Sequence, residues 1–459
     1  MPSTGFRLIC AFLVSVLALV PHIHASITLD VNDEQSLKEA AKEATYGMML
    51  WYHGNETGQI PGSFPEKWWE GGALFYALVN YWHFTGDDTY NEVLRQGLEF
   101  QSGDDGDYMP SNYSSYLGND DQGFWGLAAM HAAEMKLPDT GKFSWTSLAQ
   151  GVFNTQKDRW DTTKCGGGLR WQLQPYQGGY TMKNSVSNGV FFQIAARLYR
   201  YTGEELYKTW AEKVWDWTAS SPLMNNKTWH VADSTEMSNN CATSGDEQWT
   251  YTYGAYMMGA AYMYNYTKDD KWLPRTKGLL NTMIKTFFLK ENDFVMEETT
   301  CEIQQVCDNN NILFKGLTAN WFAFTGLLVP ETYDLVLPKL QSSARGAAKT
   351  CDGHGNNSCG VRWWGNKWDG WSGMEEQISV SQLFSANLVK FVDKGKAGPV
   401  THDTGGNSTS NMDAGKSSNK DSNPTSSPIT SGDKAGAGVL TAVFVAGWAG
   451  MLAFVLVGG

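Results

Sequence analysis

The decapeptide Tyr81-Trp-His-Phe-Thr-Gly-Asp-Asp-Thr-Tyr90 occurs in three related copies along the 459-residue chain. It returns as Leu198-Tyr-Arg-Tyr-Thr-Gly-Glu-Glu-Leu-Tyr207 and as Met263-Tyr-Asn-Tyr-Thr-Lys-Asp-Asp-Lys-Trp272. Each copy joins an aromatic segment rich in Gly and Ala to an amphipathic, charged one, and the threonines are 117 and 65 residues apart. Repetition on this scale is typical of stacked helical hairpins.

Hydrophobic periodicity and capping residues around these repeats predict twelve helices. Every second helix carries charged residues along one face and is expected in an outer ring, near residues 33–52, 88–101, 144–160, 204–219, 270–289 and 332–349. The others are apolar on more than one side and are expected in an inner ring, near residues 69–84, 121–136, 185–200, 248–265, 314–328 and 374–391. We therefore predict an all-α fold over residues 26–396, an (α/α)6 barrel of six hairpins.

One pair of acids stands at the start of a predicted inner helix, in the stretch Gly118-Asn-Asp-Asp-Gln-Gly-Phe-Trp-Gly126. Asn119 is a good N-cap, so Asp120 and Asp121 are expected in the first turn. A helix N-terminus favours ionised carboxylates, and adjacent acids in different environments can hold different pKa values. The pattern predicts a nucleophile and an acid. Other Asp-Asp pairs fall in turns or a Gly-rich loop and need no catalytic role, at residues 87–88, 104–105 and 269–270.

Parallel inner helices would bring their N-termini and the preceding loops to one end of the barrel, forming a concave mouth. Aromatic rings, carboxylates and amides converge there, which suits a sugar, because its apolar face lies on an aromatic plane and its hydroxyls form hydrogen bonds. Many of the 20 Trp and 20 Tyr must instead be packing residues. The residues predicted to bind substrate are Trp69, Trp125, Asn188, Asp246, Trp249, Tyr251, Trp363 and Asp369.

Both ends of the chain differ in composition from its centre. Residues 8–20 form an apolar run followed by the small Ala25, which predicts a secretory signal peptide over residues 1–25. Residues 397–431 are rich in Ser, Thr and Asn and are expected to form a disordered stalk. Residues 432–459 end in an uncharged apolar tail that no Lys or Arg follows, which favours a glycosylphosphatidylinositol (GPI) attachment signal over a membrane-spanning helix. The mature protein is then expected on the outer face of the plasma membrane or in the cell wall.

Six of the seven cysteines lie beyond the predicted signal peptide, an even number that suits an oxidising compartment. Six cysteines allow 15 pairings. The short separations favour Cys301 with Cys307 and Cys351 with Cys359, which leaves Cys165 with Cys241. N-glycosylation sequons should face solvent, and they occur at Asn55, Asn112, Asn226, Asn265, Asn356 and Asn407.

The charge and the spacing of metal-binding residue types limit the range of partners. The formal net charge of −13 argues against nucleic acid. No His-rich or Cys-x-x-Cys spacing suggests zinc. We expect a monomer that uses no metal ion or cofactor.

Several motifs together resemble glycoside hydrolase family 76, the endo-α-1,6-mannanase family. The resemblance covers roughly residues 27–392 and is carried by Asn119-Asp-Asp-Gln-Gly-Phe-Trp125, Ser187-Asn-Gly189, Gln248-Trp-Thr-Tyr251, Cys359-Gly-Val-Arg-Trp363, Trp368-Asp-Gly370 and Glu376-Gln377. The signal peptide, the sequons and the GPI tail resemble the fungal cell-wall branch of that family.

The resemblance implies an (α/α)6 fold and cleavage of α-1,6-linked mannose with retention of configuration by two adjacent aspartates. In this chain Asp120 would be the nucleophile and Asp121 the general acid and base. Retention requires carboxyl groups about 5–5.5 Å apart, which neighbouring residues at a helix mouth can reach. For the fungal branch the resemblance further implies that the mannose core of GPI anchors is the donor and cell-wall glucan the acceptor.

The sequence leaves two other functions open. A non-catalytic mannan-binding wall protein would keep the cleft, although it would not need two buried acids. Another chemistry of the same barrel, such as an unsaturated-uronide hydrolase or a lyase, would act on anionic substrates and need a cationic cleft. The predicted mouth instead has one Lys and many carboxylates. Hydrolysis and transfer share the same glycosyl-enzyme and differ in whether water or a sugar reaches it.

Overall fold

The computed structural model describes residues 27–64, 67–393 and 398–416, together with residues 434, 438, 439 and 441–448 of the C-terminal segment. The described residues up to 415 belong to one compact unit and those from 416 onward to a second, in which residues 441–448 are helical. The predicted signal peptide and the expected GPI attachment site near residues 431–432 lie outside the described residues. None of the described helices combines the length and the apolar character that crossing a bilayer requires.

The described chain from residue 34 to residue 387 forms twelve α-helices in two concentric rings, which confirms the predicted (α/α)6 barrel. The inner helices are α2 (Trp69–Thr85), α4 (Asn119–Glu134), α6 (Ser185–Thr202), α8 (Thr250–Thr267), α10 (Asn309–Leu328) and α12 (Met374–Asn387). Each inner helix packs against the next one in chain order, and α12 packs against α2, which closes the ring. Their side chains are buried on nearly all sides because neighbours cover both flanks and outer helices cover the back.

The outer helices are amphipathic, and each buries one stripe against the inner ring. They are α1 (Glu34–Met49), α3 (Asn91–Phe100), α5 (Trp145–Asp158), α7 (Glu205–Ser220), α9 (Trp272–Phe287) and α11 (Tyr333–Lys349). In α1 the buried stripe includes Leu37, Ala40 and Ala44. This first helix packs on α12, the last, so both ends of the barrel sequence meet. Two short strands, β1 (Met182–Asn184) and β2 (Ser234–Glu236), pair antiparallel ahead of α6 and α8.

The repeated decapeptide forms the turn from an inner to an outer helix. Thr85 donates its hydroxyl to the carbonyl of Tyr81 and accepts the N–H of Asp87, and Thr202 and Thr267 form the same two bonds in their copies. The residue after each threonine is left-handed, and these residues are Gly86, Gly203 and Lys268. The internal repeat therefore specifies a helix C-cap.

Three disulfides join the pairs that the sequence favoured, Cys165–Cys241, Cys301–Cys307 and Cys351–Cys359. The two short bridges close loops ahead of α10 and α12. Five sequon asparagines are exposed, as expected. The expectation of a solvent-facing side chain is wrong at Asn265, which is half-buried at the end of α8, accepts from Arg200 and donates to the carbonyl of Leu328.

Residues 398–416, which we name the C-terminal strap, correct the expectation of disorder from residue 397. The strap follows α5 over three successive turns. Ser408 Oγ accepts the N–H of Thr146 at 2.9 Å, the N–H of Asn411 donates to Gln150 at 2.6 Å, and Asn154 donates to the carbonyl of Ala414 at 2.9 Å. Polar composition did not reveal this order because side chains of α5 supply the partners for the strap backbone.

We predict that a chain ending at residue 397 unfolds several degrees below a chain ending at residue 416. Each lost hydrogen bond removes about 0.5–1.5 kcal/mol, and the polar side chains of α5 that bind the strap lose their partners. Thermal unfolding of the two truncated proteins measures the difference. Equal melting temperatures would show that the strap does not stabilise the barrel.

Candidate active site

A cleft of about 450 Å³ opens where the N-terminal ends of the inner helices meet. Among the described residues, five of the six inner helices contribute through their first two turns or the loops before them, and α12 contributes none. The lining residues are Lys67, Trp68, Trp69, Tyr116, Leu117, Asp120, Asp121, Phe124, Trp171, Gln172, Met182, Asn184, Asp233, Glu247, Trp249, Tyr251, Asn310, Asn311 and Phe314. The expected mouth therefore exists, although α12 does not contribute to its described lining.

Asp120 and Asp121 line this cleft in the first turn of α4, and both are partly exposed to it. A Cβ atom built on Gly118 would lie 2.3 Å from Asp120 Oδ1 and 3.2 Å from Asp121 Oδ2. These two oxygens are consequently at most about 5.5 Å apart. The same contact explains the glycine, because any side chain at position 118 would displace Asp120.

The entrance of α4 fixes the direction of both acids. Gly118, rather than Asn119, is the N-cap residue, and its N–H donates to Asp121 Oδ2 at 2.7 Å. Asn119 instead donates its side chain to the carbonyl of Arg170 at 2.8 Å. On the other acid, Asp120 accepts the N–H of Asp121 at 3.1 Å and a hydrogen bond from the side chain of Asn184.

Burial raises the pKa of both carboxyl groups. Burial raises the pKa of Asp121 to about 6. The N–H of Gly118 stabilises the ionised form and so keeps this rise from being larger. The pKa of Asp120 rises well above its usual range through burial and through the neighbouring charge of Asp121. Two acids this close titrate as a pair, and sharing one proton avoids two adjacent buried charges. The pair can therefore present one carboxylate and one carboxylic acid at the same time.

A strand-like contact places the next wall of the cleft beside the acids. Gly118 and Gln172 form an antiparallel bridge, and the N–H of Asn119 donates to the carbonyl of Trp171 at 2.9 Å. Trp171 and Gln172 belong to the loop between α5 and β1 and thus reach α4 by backbone pairing. Helical periodicity gives no signal for such a contact, so the sequence did not identify either residue.

Lys183 stabilises the loop between α5 and β1 through hydrogen bonds to its backbone. Its ammonium group is fully buried, donates to the carbonyls of Asp161, Lys164 and Gly167 at 2.5–3.0 Å and lies 3.6 Å from the Asp161 carboxylate. Burial lowers the pKa of Lys183 to about 8. Lys183 is not among the lining residues, and Lys67 is the single cation among those lining residues that the structure describes.

Three of the predicted substrate-binding residues do line the cleft, namely Trp69, Trp249 and Tyr251. Trp69 donates its indole N–H to Asn310 at 3.0 Å. The ring of Tyr251 stacks on Phe314 with centroids 3.6 Å apart, which fixes its plane. Aromatic planes held in this way suit the apolar face of a sugar ring.

Trp125 and Trp363 do not reach the cleft, and the prediction that they bind substrate is wrong. Trp125 is fully buried, stacks on Trp68 at 5.0 Å and donates to its carbonyl at 3.1 Å. Trp363 is 1% exposed, with the ammonium group of Lys315 lying 4.1 Å from its ring centre. Both are packing residues, the alternative that the aromatic content had left open.

The remaining three predictions also fall outside the lining residues. Asn188 is buried and exchanges hydrogen bonds with the backbone of Leu169, so it shapes the loop behind the cleft. Asp369 accepts the N–H groups of Val361 and Arg362 and organises the loop before α12. Asp246 is exposed and does not line the cleft, whereas its neighbour Glu247 does.

The cleft also holds a second pair of acids. Asp233 and Glu247 line it, and burial together with the charge of Glu247 raises the pKa of Asp233 to about 6. Asp233 precedes β2 in a loop without a recognisable motif, so sequence patterns did not identify it. Among the described residues, no group of three or more His, Cys, Asp or Glu side chains is arranged to hold a metal ion.

Comparison with known families and proteins agrees with this geometry. The model of Glycosyl hydrolase family 76 matches residues 36–403. Mannan endo-1,6-alpha-mannosidase DCW1 of Saccharomyces cerevisiae is 41% identical over 427 residues, which cover 91% of this chain and 92% of the relative. Mannan endo-1,6-alpha-mannosidase DFG5 of Candida albicans is 39% identical, over 94% of this chain and 96% of the relative.

Solved structures share the fold. Dfg5 from Chaetomium thermophilum, in complex with glucosamine, superposes with a TM-score of 0.80 at 39% identity and covers 85% of this chain and 98% of its own. An inactive variant of the alpha-1,6-mannanase GH76A of Salegentibacter sp. HEL1_6, in complex with alpha-1,6-mannotriose, superposes with a TM-score of 0.63. At 17% identity, over 77% of this chain and 99% of the mannanase, the second likeness concerns the fold alone.

We predict that replacing both acids, Asp120→Asn with Asp121→Asn, stabilises the protein at pH 7 and not at pH 4. Because the folded pKa values are raised, the native state binds more protons than the unfolded chain from about pH 4 upward to those values. The pair therefore lowers the free energy of unfolding as pH rises through that window. Denaturant unfolding should show a gain of about 1–3 kcal/mol at pH 7 in the double variant.

Asp87→Asn is the matched control, with the opposite sign. Burial opposes ionisation of Asp87, but hydrogen bonds from Thr89 and Tyr81 outweigh it and lower the pKa of this carboxyl group. Its contribution is present above the unfolded pKa and is lost as pH falls, so Asp87→Asn should destabilise the protein at pH 7. A double variant that is no more stable than wild type at pH 7 would refute the raised pKa values.

Proposed function

Because the chain belongs to glycosyl hydrolase family 76, we propose that it is a retaining, endo-acting enzyme on α-1,6-linked mannose that serves fungal cell-wall biogenesis. The observation that carries this proposal is the pair of carboxyl oxygens of Asp120 and Asp121, at most about 5.5 Å apart in an aromatic cleft. Retaining enzymes hold their carboxyl groups about 5–5.5 Å apart, whereas inverting enzymes need about 6.5–9.5 Å to admit a water molecule. The relatives are mannan endo-1,6-alpha-mannosidases, which supports the choice of sugar.

In the first step, the carboxylate of Asp120 attacks the anomeric carbon while the acid proton of Asp121 passes to the departing glycosidic oxygen. The carbon–oxygen bond of the glycoside breaks and an ester between mannose and Asp120 forms. In the second step, Asp121 takes a proton from water or from a sugar hydroxyl, whose oxygen attacks the same carbon and releases Asp120. Two displacements restore the original configuration.

In the free cleft the shared proton is favoured on Asp120, whereas the first step requires it on Asp121. Burial and the charge of Asp121 favour the protonated form of Asp120, while the N–H of Gly118 favours ionised Asp121. The proton therefore has to lie on Asp121 once substrate is bound, and adjacency makes that transfer short.

The charge of the cleft disfavours the other chemistries of this barrel. Within the described part of the chain, the cleft is lined by four carboxyl groups, those of Asp120, Asp121, Asp233 and Glu247, and by one cation, Lys67. A uronide or another anionic sugar would be repelled. A binding protein without catalysis would gain nothing from two acids whose burial costs stability. A neutral mannoside is compatible with both features.

We extend the proposal to transfer, with the mannose core of a GPI anchor as donor and cell-wall glucan as acceptor. In that role the enzyme would link GPI-anchored wall proteins to glucan, and it would act as a monomer outside the plasma membrane. The sequence features that support this address are the predicted signal peptide over residues 1–25 and the predicted GPI attachment signal over residues 432–459. The relative Dfg5 was solved with glucosamine, an amino sugar.

We predict that Asp120→Ala and Asp121→Ala each slow turnover by about 10²–10⁴-fold, and that azide restores activity with opposite stereochemistry in the two variants. With an aryl α-1,6-mannobioside, azide replaces the nucleophile in Asp120→Ala and yields the β-azide. In Asp121→Ala azide attacks the glycosyl-enzyme and yields the α-azide. NMR identifies the products.

Asp88→Ala, in a pair that caps a turn, should retain wild-type turnover and serves as the control. The reverse pattern of azide products would make Asp121 the nucleophile. Near-normal turnover in either catalytic variant, without azide, would move the chemistry to other residues.

We predict that deleting residues 432–459 releases the protein into the culture medium, because GPI attachment needs the apolar tail. Cell fractionation and treatment of the full-length protein with a phosphatidylinositol-specific phospholipase measure the anchor. Retention of the truncated protein in the membrane fraction would exclude GPI anchoring.

A further inference from the structure

We propose that Tyr116 and Tyr176 form a shelf at the rim of the cleft that binds pyranose rings of a glycan running out of the active site. This inference rests on the proposed function, since it takes the ligand of the cleft to be a sugar. It concerns rings beyond those held at the two acids. The two tyrosines were not among the residues that the sequence suggested for substrate binding.

The shelf is exposed and continuous with the cleft. Tyr116 is 52% exposed and is itself a lining residue, and Tyr176 is 72% exposed. The hydroxyl of Tyr176 donates to the carbonyl of Ser115, the residue before Tyr116, so Tyr176 is held against the loop that carries Tyr116. A glycan that leaves the cleft over Tyr116 would therefore run along the loop that Tyr176 contacts.

An aromatic series that begins in the core supports the inner part of the shelf. Tyr116 lies edge-on against Tyr113 at 5.8 Å, Tyr113 stacks on Trp68 at 5.6 Å, and Trp68 stacks on the buried Trp125 at 5.0 Å. The hydroxyl of Tyr113 also contacts Ser63 Oγ at 3.0 Å. Because these contacts hold Tyr116 in place before binding, little side-chain entropy remains to be lost.

The outer part of the shelf is held by its polar end. The hydroxyl of Tyr176 is hydrogen-bonded to the carbonyl of Ser115, so the exposed part of this side chain is mainly its ring. A ring that is tied down at one end and exposed elsewhere is suited to stacking. An exposed tyrosine without such a tie would keep its rotational freedom.

The composition of both loops favours a neutral, hydroxylated ligand. Residues 108–119 and 171–182 contain no charged side chain, although 18% of the whole chain is charged. They contribute aromatic rings, hydroxyls and amides, the groups that stack on sugar rings and bind their hydroxyls. A basic or acidic partner would find no complementary charge in either loop.

The rings could come from the donor chain or from an acceptor glycan, and two assays distinguish these sources. In the first, kcat/KM is measured on α-1,6-mannotriose and on α-1,6-mannohexaose. In the second, transfer from an aryl α-1,6-mannobioside to a labelled gluco-oligosaccharide is measured as a function of acceptor concentration. Full-length ectodomain is used in the wild-type background and with Asn112→Gln, because a glycan at that sequon would stand beside Tyr113.

Tyr176→Ala should lower the ratio of hexaose to triose kcat/KM, or raise the acceptor KM, by about two- to tenfold, the size of one aromatic stacking contact. Turnover of the triose should not change. Tyr176→Phe keeps the ring and loses the tie to Ser115, so its effect should be smaller. Tyr46→Ala is the control, because Tyr46 is 60% exposed on outer helix α1 and does not line the cleft.

A change in the first assay identifies the donor chain as the ligand of the shelf, and a change in the second identifies the acceptor. If Tyr176→Ala matches wild type in both assays and in both backgrounds, the proposed shelf is wrong. The proposed function is not affected by that result. Failure of the wild-type enzyme to cleave either mannan oligosaccharide contradicts the proposed function itself.

Discussion

The closed ring of six inner helices is the constraint from which the active site follows. Every inner helix is buried on almost all sides, and the N-terminal ends of five of them converge on one cleft lined by described residues. There Gly118 brings two carboxyl groups within about 5.5 Å of each other. Desolvation of two neighbouring carboxyl groups destabilises the fold, but here it raises the pKa of both acids and lets them share a proton. The same burial thus costs stability and supplies the chemistry.

Features encoded by local pattern were predictable from the sequence. The twelve helices follow from periodicity, and the three decapeptides form the same C-cap because the threonine and the left-handed residue recur in each. Trp69, Trp249 and Tyr251 line the cleft at the predicted mouth because they stand at inner-helix starts. Trp125 is aromatic as well, but its ring stacks on Trp68 and Tyr108 in the core, whereas the preceding Phe124 lines the cleft. The face of the helix, more than residue type, separates these cleft and core residues.

Features encoded by long-range pairing were not predictable. Trp171 reaches the acids because a backbone bridge joins its loop to the start of α4. Asp233 reaches the cleft through a loop that carries no motif. The strap over residues 398–416 looks disordered by composition, yet Gln150 and Asn154 of α5 bind its backbone. In each case the decisive partner is distant in sequence and binds main-chain atoms, so side-chain patterns carry no trace of it.

The anomeric configuration of the first product tests the retaining pair most directly. NMR spectra recorded during hydrolysis of α-1,6-mannohexaose, before mutarotation, should show new reducing ends in the α configuration. Two successive displacements at carboxyl groups this close restore the starting configuration. Reducing ends that appear first in the β configuration would mean that water attacks the sugar directly, and that Asp120 and Asp121 do not act as nucleophile and acid.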